Sequence, residues 1–248
     1  MALSDKKIME HMKAGTVVIE PFVRANLATS SYDVTLGEWY FREQSPQAHK
    51  KVYNPYSQSD TERVWHTTPK KAQYAKDALA HFNFAFDGIR PDDKVILLEP
   101  GETILAHTNE FIGGREVVTT MMKARSSLGR NFVNVCKCAG WGDVGYINRW
   151  TMEISNSSQH YIIPLVVGRR IAQLVFFETG PILGKDYADT GKYNPYKELK
   201  DLKKHWSPEM VLPKLWRDRD IKLEQPWHKK EKTGAAARKK TAARSKKR

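Results

Sequence analysis

Apolar residues in this chain gather mostly in short runs suited to strands, rather than at helical spacing. The stretches "TVVIEPF", "SYDVTLG", "EWYFRE", "KVILLEP", "ETILAHTNEFI", "EVVTTMM", "NFVNVCKC", "RWTMEIS", "YIIPLVV" and "RIAQLVFFE" read as strands. Turn signals separate such runs, among them Pro100-Gly101, Gly113-Gly114, Asn156-Ser157-Ser158 and Val167-Gly168. About ten short strands without regular helices between them predict a mainly β protein, a barrel or a sandwich. Ile8 and Met12, with Gly15 as a stop, predict a short N-terminal helix over Ser4 to Lys13. Residues 45–92 break the strand pattern and read as an insertion, within which "TPKKAQYAKDALAHF" suggests a surface helix. After Glu178 the chain becomes irregular, with one helical stretch where Leu199, Leu202 and Trp206 share a face.

Charge divides the chain differently. Residues 229–248 hold ten Lys or Arg against Glu231 alone, a net +9 of the total +13. The domain of residues 1–228 is therefore only mildly basic. The tail, low in complexity and without an apolar anchor, is expected to be disordered. Its usual role is solvation, and weak contact with nucleic acid or another polyanion is the sharper alternative. No apolar run approaches the roughly 20 residues that span a bilayer, and "MALSDKKIMEHMKAG" has no signal-like apolar stretch, so no membrane partner is expected. Two cysteines, Cys136 and Cys138, stand too close for an ordinary disulfide, which favours a reducing, cytoplasmic setting.

Three features carry chemistry. Arg125-Ser126-Ser127-Leu128-Gly129-Arg130 brackets hydroxyls and a glycine with guanidinium groups, between two runs suited to burial. Such a turn can hold phosphate oxygens through charge-assisted hydrogen bonds. "AGWGDVGY" sets Asp143 in a Gly-rich bend with Tyr146 three residues on, a carboxylate and a ring suited to a sugar. Glu153 interrupts the apolar strand "WTMEIS", where desolvation raises a carboxyl pKa into the range useful for proton transfer. Each has a plainer reading, as a surface turn, a loop aspartate, a core tyrosine or an acid on a solvent face. Together they suggest an enzyme acting on a nucleotide.

These residues resemble the dCTP deaminases, of the same superfamily as the trimeric dUTPases. The resemblance runs through most of residues 1–220, in "LSDKKIMEHMKAGTVVIEPF", "SYDVTLG", "PGETILAHTNEFIG", "KARSSLGR", "AGWGDVGYINRWTMEISNSS", "GRRIAQLVFFE", "YADTGKY" and "LPKLWRDR". It implies a distorted, dUTPase-like β-barrel, a homotrimer with sites between subunits, dCTP as substrate, and Mg²⁺ carried on the triphosphate. It also implies roles. Glu153 would be the general acid/base, with Ser126 and Arg130 orienting it and the water. Arg125 and Ser127 would bind the nucleotide, and Ala139 and Thr151 would read the base edge. Asp143 and Tyr146 would hold the deoxyribose, and Gln173, Tyr187 and Lys192 match further nucleotide-binding positions. Tyr196 stands where many relatives have glutamine, and Cys138 where threonine is common.

The expected reaction is hydrolysis of dCTP to dUTP and ammonia, with a bifunctional conversion through to dUMP as the alternative. A zinc deaminase needs H-x-E and P-C-x-x-C, and neither string occurs, so no zinc is expected. A plain dUTPase fits Asp143 and Tyr146 but leaves Glu153 without a purpose. A non-catalytic nucleotide or nucleic-acid binder leaves both Glu153 and Arg130 unused.

Overall fold

The computed structural model describes residues 1–194 and 196–218; the expected disorder of 229–248 lies outside them. Helix α1 (Asp5–Ala14) forms where the Ile8 spacing predicts it. The Ser4 hydroxyl accepts from Lys7 N–H at its start, and Gly15, at φ 82°, closes its end. Strand β1 (Val17–Glu20) leads into β2 (Tyr32–Arg42), where Tyr32, Val34 and Leu36 are buried.

The insertion departs from expectation. Its longest helix is α2 (Gln58–Trp65), which the pattern did not flag. The segment expected to be helical begins instead with two short strands, β3 (Lys70–Lys71) and β4 (Gln73–Tyr74), and holds only one turn, α3 (Ala75–Ala78). The reason is pairing. Lys70 and Lys71 lie opposite Tyr40 and Trp39 of β2, and buried Ala72 lets the chain hug the sheet between them and β4.

Next come β5 (Lys94–Leu98), β6 (Thr103–Gly114) and β7 (Val118–Ala124), followed by a single helical turn, α4 (Ser126–Gly129). Short strands β8 (Val133–Asn134) and β9 (Trp141–Gly142) precede the long β10 (Ile147–Asn156). Then follow β11 (Ile163–Val166) and β12 (Arg170–Glu178). The run "NFVNVCKC", expected as a full strand, pairs only at Val133 and Asn134.

Nine strands form one curled, half-barrel sheet in the order β8-β10-β6-β2-β12-β7-β9, with β1 beside β6 and β3 beside β2. A second sheet, β11-β5-β4, packs with the insertion. The curl encloses a core that includes Tyr32, Ile104, Ile112, Met122, Met152 and Phe176, all fully buried. The protein is mainly β, as the short runs predict. Two short helices, α5 (Tyr187–Thr190) and α6 (Leu199–His205), follow β12, and 3-10 turns at Pro208–Val211 and Leu215–Arg217 come after them. Leu199, Leu202 and Trp206 share one apolar cluster with Phe111 and Ile147, as their spacing predicts. Among the described residues, no helix is long and apolar enough to cross a membrane.

Candidate active site

Alternation along β10 decides which way Glu153 points. Trp150, Met152 and Ile154 are buried in the core, so Arg149, Thr151 and Glu153 occupy the other face. That face is covered locally, and Glu153 is only half exposed. Its Oε2 is buried and has no hydrogen-bond partner among the described residues. Burial pushes its carboxyl pKa up, against a hydrogen bond from its own backbone N–H and the charge of Lys137, which both lower it. A carboxyl group with one oxygen held dry and without a fixed partner is suited to exchanging protons with a substrate.

Glu153 faces a cavity of about 480 Å³, within the range that accepts a small organic ligand. Asp143 reaches the same cavity from the bend between β9 and β10, a turn closed by the Tyr146 N–H donating to the Asp143 carbonyl at 2.9 Å. Two glycines set this bend. A Cβ on Gly142 would lie 2.4 Å from the Trp150 ring and 2.5 Å from Thr120 Oγ1. Gly145, at φ 91°, lets the bend press against Asp186 and Tyr187. Tyr146 then meets Trp150 and Tyr187 edge-on, with ring centroids 5.1 and 5.0 Å apart. Burial holds its phenol well above the usual tyrosine range, so the ring stays neutral.

Of the residues singled out from the sequence, Ala139, Asp143, Tyr146, Thr151, Glu153 and Tyr187 line this cavity. Arg125, Ser126, Ser127, Arg130, Gln173 and Lys192 do not. Among the described residues, the cavity lining contains two acids and neither Lys nor Arg.

The missing cations are gathered elsewhere on the chain. Ser126 and Ser127 start the exposed turn α4, and exposed Arg130 follows it, making no ion pair among the described residues. Arg125, just before the turn, is tied down. Its Nε lies 3.6 Å from Asp33 Oδ2, which also accepts from Arg170 Nη1 at 2.9 Å. Register sets Asp33 of β2, Gln173 of β12 and Lys123 of β7 side by side, so Gln173 belongs to this polar row. Lys192 pairs with Asp218 and lies over the Tyr193 ring, whose residue does line the cavity. Tyr196 stacks on His205, with centroids 5.1 Å apart.

Several participants escaped the sequence reading. Asp33 sits inside "SYDVTLG" and looks there like any alternating polar position. Trp141, Tyr193 and Leu105 line the cavity from inside motifs already quoted, where they were not singled out, and Trp65 of the 45–92 segment joins them with no local motif to mark it. Among the described residues, no group of three or more His, Cys, Asp or Glu is arranged to hold a metal ion.

The family model described as dCTP deaminase-like matches residues 2–179. A protein of Hydrogenobaculum sp. (strain Y04AAS1) named "dCTP deaminase, dUMP-forming" is 31% identical over 176 residues, covering 71% of this chain and 81% of its own. One of the same name from Acidothermus cellulolyticus is 31% identical over 179 residues, covering 72% and 81%. Among solved structures, 2'-deoxycytidine 5'-triphosphate deaminase from Agrobacterium tumefaciens superposes with a TM-score of 0.47 at 16% identity, over 71% of this chain and 47% of that one.

Proposed function

The chain belongs to the dCTP deaminase-like family, and on that premise we propose that it deaminates dCTP and carries the nucleotide on to dUMP. The dUTP product expected from the sequence gives way to dUMP because relatives about a third identical bear dUMP-forming names. The observation that carries this reading is a single cavity holding two acids in different settings. Glu153 is half-buried with one oxygen, Oε2, dry and unpartnered among the described residues, while Asp143 is exposed on a glycine-bracketed bend beside Tyr146.

In this reading Glu153 takes a proton from water, and the hydroxide adds at C4 of the cytosine ring. Glu153 returns that proton to the ring nitrogen N3, then carries the proton of the new C4 hydroxyl to the exocyclic amine, which leaves as ammonia while C4 becomes a carbonyl. Tyr146 covers the deoxyribose and Asp143 binds its hydroxyl. Asp143 next serves as base for a second water, which attacks the α-phosphorus and expels pyrophosphate. Two waters and dCTP thus give dUMP, ammonia and pyrophosphate. Mg²⁺ is proposed to arrive on the triphosphate oxygens and supplies charge neutralisation there. The chain has neither zinc-deaminase string, so its own acids are assigned the water chemistry. Both cysteines are free thiols, in keeping with a reducing, cytoplasmic location.

The assembly proposed is a homotrimer. A triphosphate needs cations, which the described lining of the cavity does not supply, and the Arg125–Arg130 turn offers an exposed Arg130 away from that cavity. A cyclic arrangement lets one copy's turn close another copy's cavity, three times over. Incubation with dCTP and Mg²⁺, followed by chromatography, tests the reaction. Equal amounts of dUMP, pyrophosphate and ammonia are expected. Accumulation of dUTP without pyrophosphate would restrict the enzyme to deamination, and unchanged dCTP would reject the proposal.

A further inference from the structure

Cytosine has one apolar edge, C5–C6, adjoining the C4 carbon that Glu153 must serve. The sheet shows what stands next to Glu153. Leu105 of β6 is its cross-strand partner, and Phe41 of β2 is the partner of Leu105, so the three side chains form a row on one face. Phe41, Leu105 and Val211 make a buried cluster against which Trp65 packs. Leu105, Val211 and Trp65 also line the cavity, together with Pro213. The wall beside the acid is therefore apolar, and Trp65 is its aromatic member.

Trp65 is brought there by the insertion, and the insertion is built to hold it. The Ser57 hydroxyl caps α2 by accepting from Asp60 N–H at 3.3 Å. The Val64 carbonyl accepts from Gln44 N–H at 2.7 Å, fastening the end of the helix to the chain leaving β2. Arg63 donates to the carbonyls of Lys50 and Val52 at 3.3 and 3.2 Å, closing the preceding loop onto α2. Trp65, the last helical residue, is thus positioned by contacts on both sides.

We propose that Trp65, carried by the 45–92 insertion, is a specificity-determining residue of the nucleotide cavity. With Leu105 and Val211 it receives the C5–C6 edge of the pyrimidine and disfavours polar substituents at C5. This rests on the dCTP reading above. A hydroxymethyl group at C5 would set a hydroxyl against carbon with no partner, at a cost of about 10- to 100-fold in kcat/KM.

The test compares dCTP with 5-hydroxymethyl-dCTP on the full-length protein and on Trp65→Ala and Trp65→Phe, measuring kcat/KM and equilibrium binding. Wild type is expected to favour dCTP by about 10-fold or more. Trp65→Ala is expected to lose about 10-fold on dCTP, chiefly in KM, and to narrow the preference. Trp65→Phe, which keeps an aromatic wall, is expected to restore most of both. A purely structural role would lower both nucleotides alike and leave their ratio unchanged, and that result overturns the inference. So does a wild type that accepts the two equally, whether or not the variants fold. A wild type that turns over neither would reject the reaction reading alone, because the binding preference still reports the wall.

Discussion

Asp33→Asn isolates the anchor of the cationic turn. The substitution keeps size and removes charge from a carboxylate whose side chain is only 6% exposed. Its two partners are Arg170 at 2.9 Å and Arg125 at 3.6 Å, with side chains 47% and 25% exposed. Breaking a fully buried ion pair typically costs about 3–5 kcal/mol, because a charge is stranded away from water. Here both guanidinium groups can turn toward solvent, so the loss should approach that of a charge-assisted hydrogen bond, about 1.5–3 kcal/mol. At about 2–4 °C per kcal/mol for a protein of this size, melting should fall by about 3–12 °C. Arg125 starts the Ser126–Gly129 turn, so its release should weaken nucleotide binding more than chemistry. We expect KM for dCTP to rise by about tenfold, equivalent to about 1.4 kcal/mol, with kcat nearly unchanged. Thermal melts and steady-state kinetics on the purified variant measure both. Unchanged melting together with unchanged KM would refute the anchor.

Other perturbations separate the roles. Arg125→Ala should act mainly on KM, whereas Arg130→Ala should act mainly on kcat, and lysine at either site should fail to restore full activity because an ammonium lacks the planar fork of donors. Asp143→Asn should leave dUTP as the accumulating product, read by chromatography, if Asp143 is the second-step base. Burial raises the Glu153 pKa, and the base form must be ionised to accept a proton from water. Activity should therefore be lost as pH falls through a value above the usual glutamate range, and a kcat/KM profile with its acid limb in the ordinary range would contradict this. Gly142→Ala forces a methyl into Trp150 and Thr120, and the overpacking should cost about 1–3 kcal/mol in denaturant unfolding.

How much of this was legible depended on how local each cause is. Ile8, Met12 and Gly15 specify α1 within a few turns of chain, and the structure follows them. The alternation around Glu153 told which strand it occupies, but a solvent-facing acid and a catalytic one read the same. Only the covering by Trp65 and the 211–213 segment distinguishes them. Lys70–Tyr74 misled because its pairing partners, β2 for Lys70–Lys71 and β5 for Gln73–Tyr74, lie far from it in sequence. The separation of the described site residues into those lining the cavity and those on the cationic turn follows from the sheet order, which no local pattern records.

That division is the centre of the account, and subunit complementation tests it directly. Glu153→Gln spoils the cavity and Arg130→Ala spoils the turn, so each variant alone should lose about 10²- to 10⁴-fold in rate. Co-expressed and purified as mixed assemblies, the two should recover a substantial fraction of wild-type ammonia release from dCTP. In a mixed assembly some cavities with an intact Glu153 meet a turn with an intact Arg130. Mixed assemblies as inactive as either parent would contradict a site shared between copies.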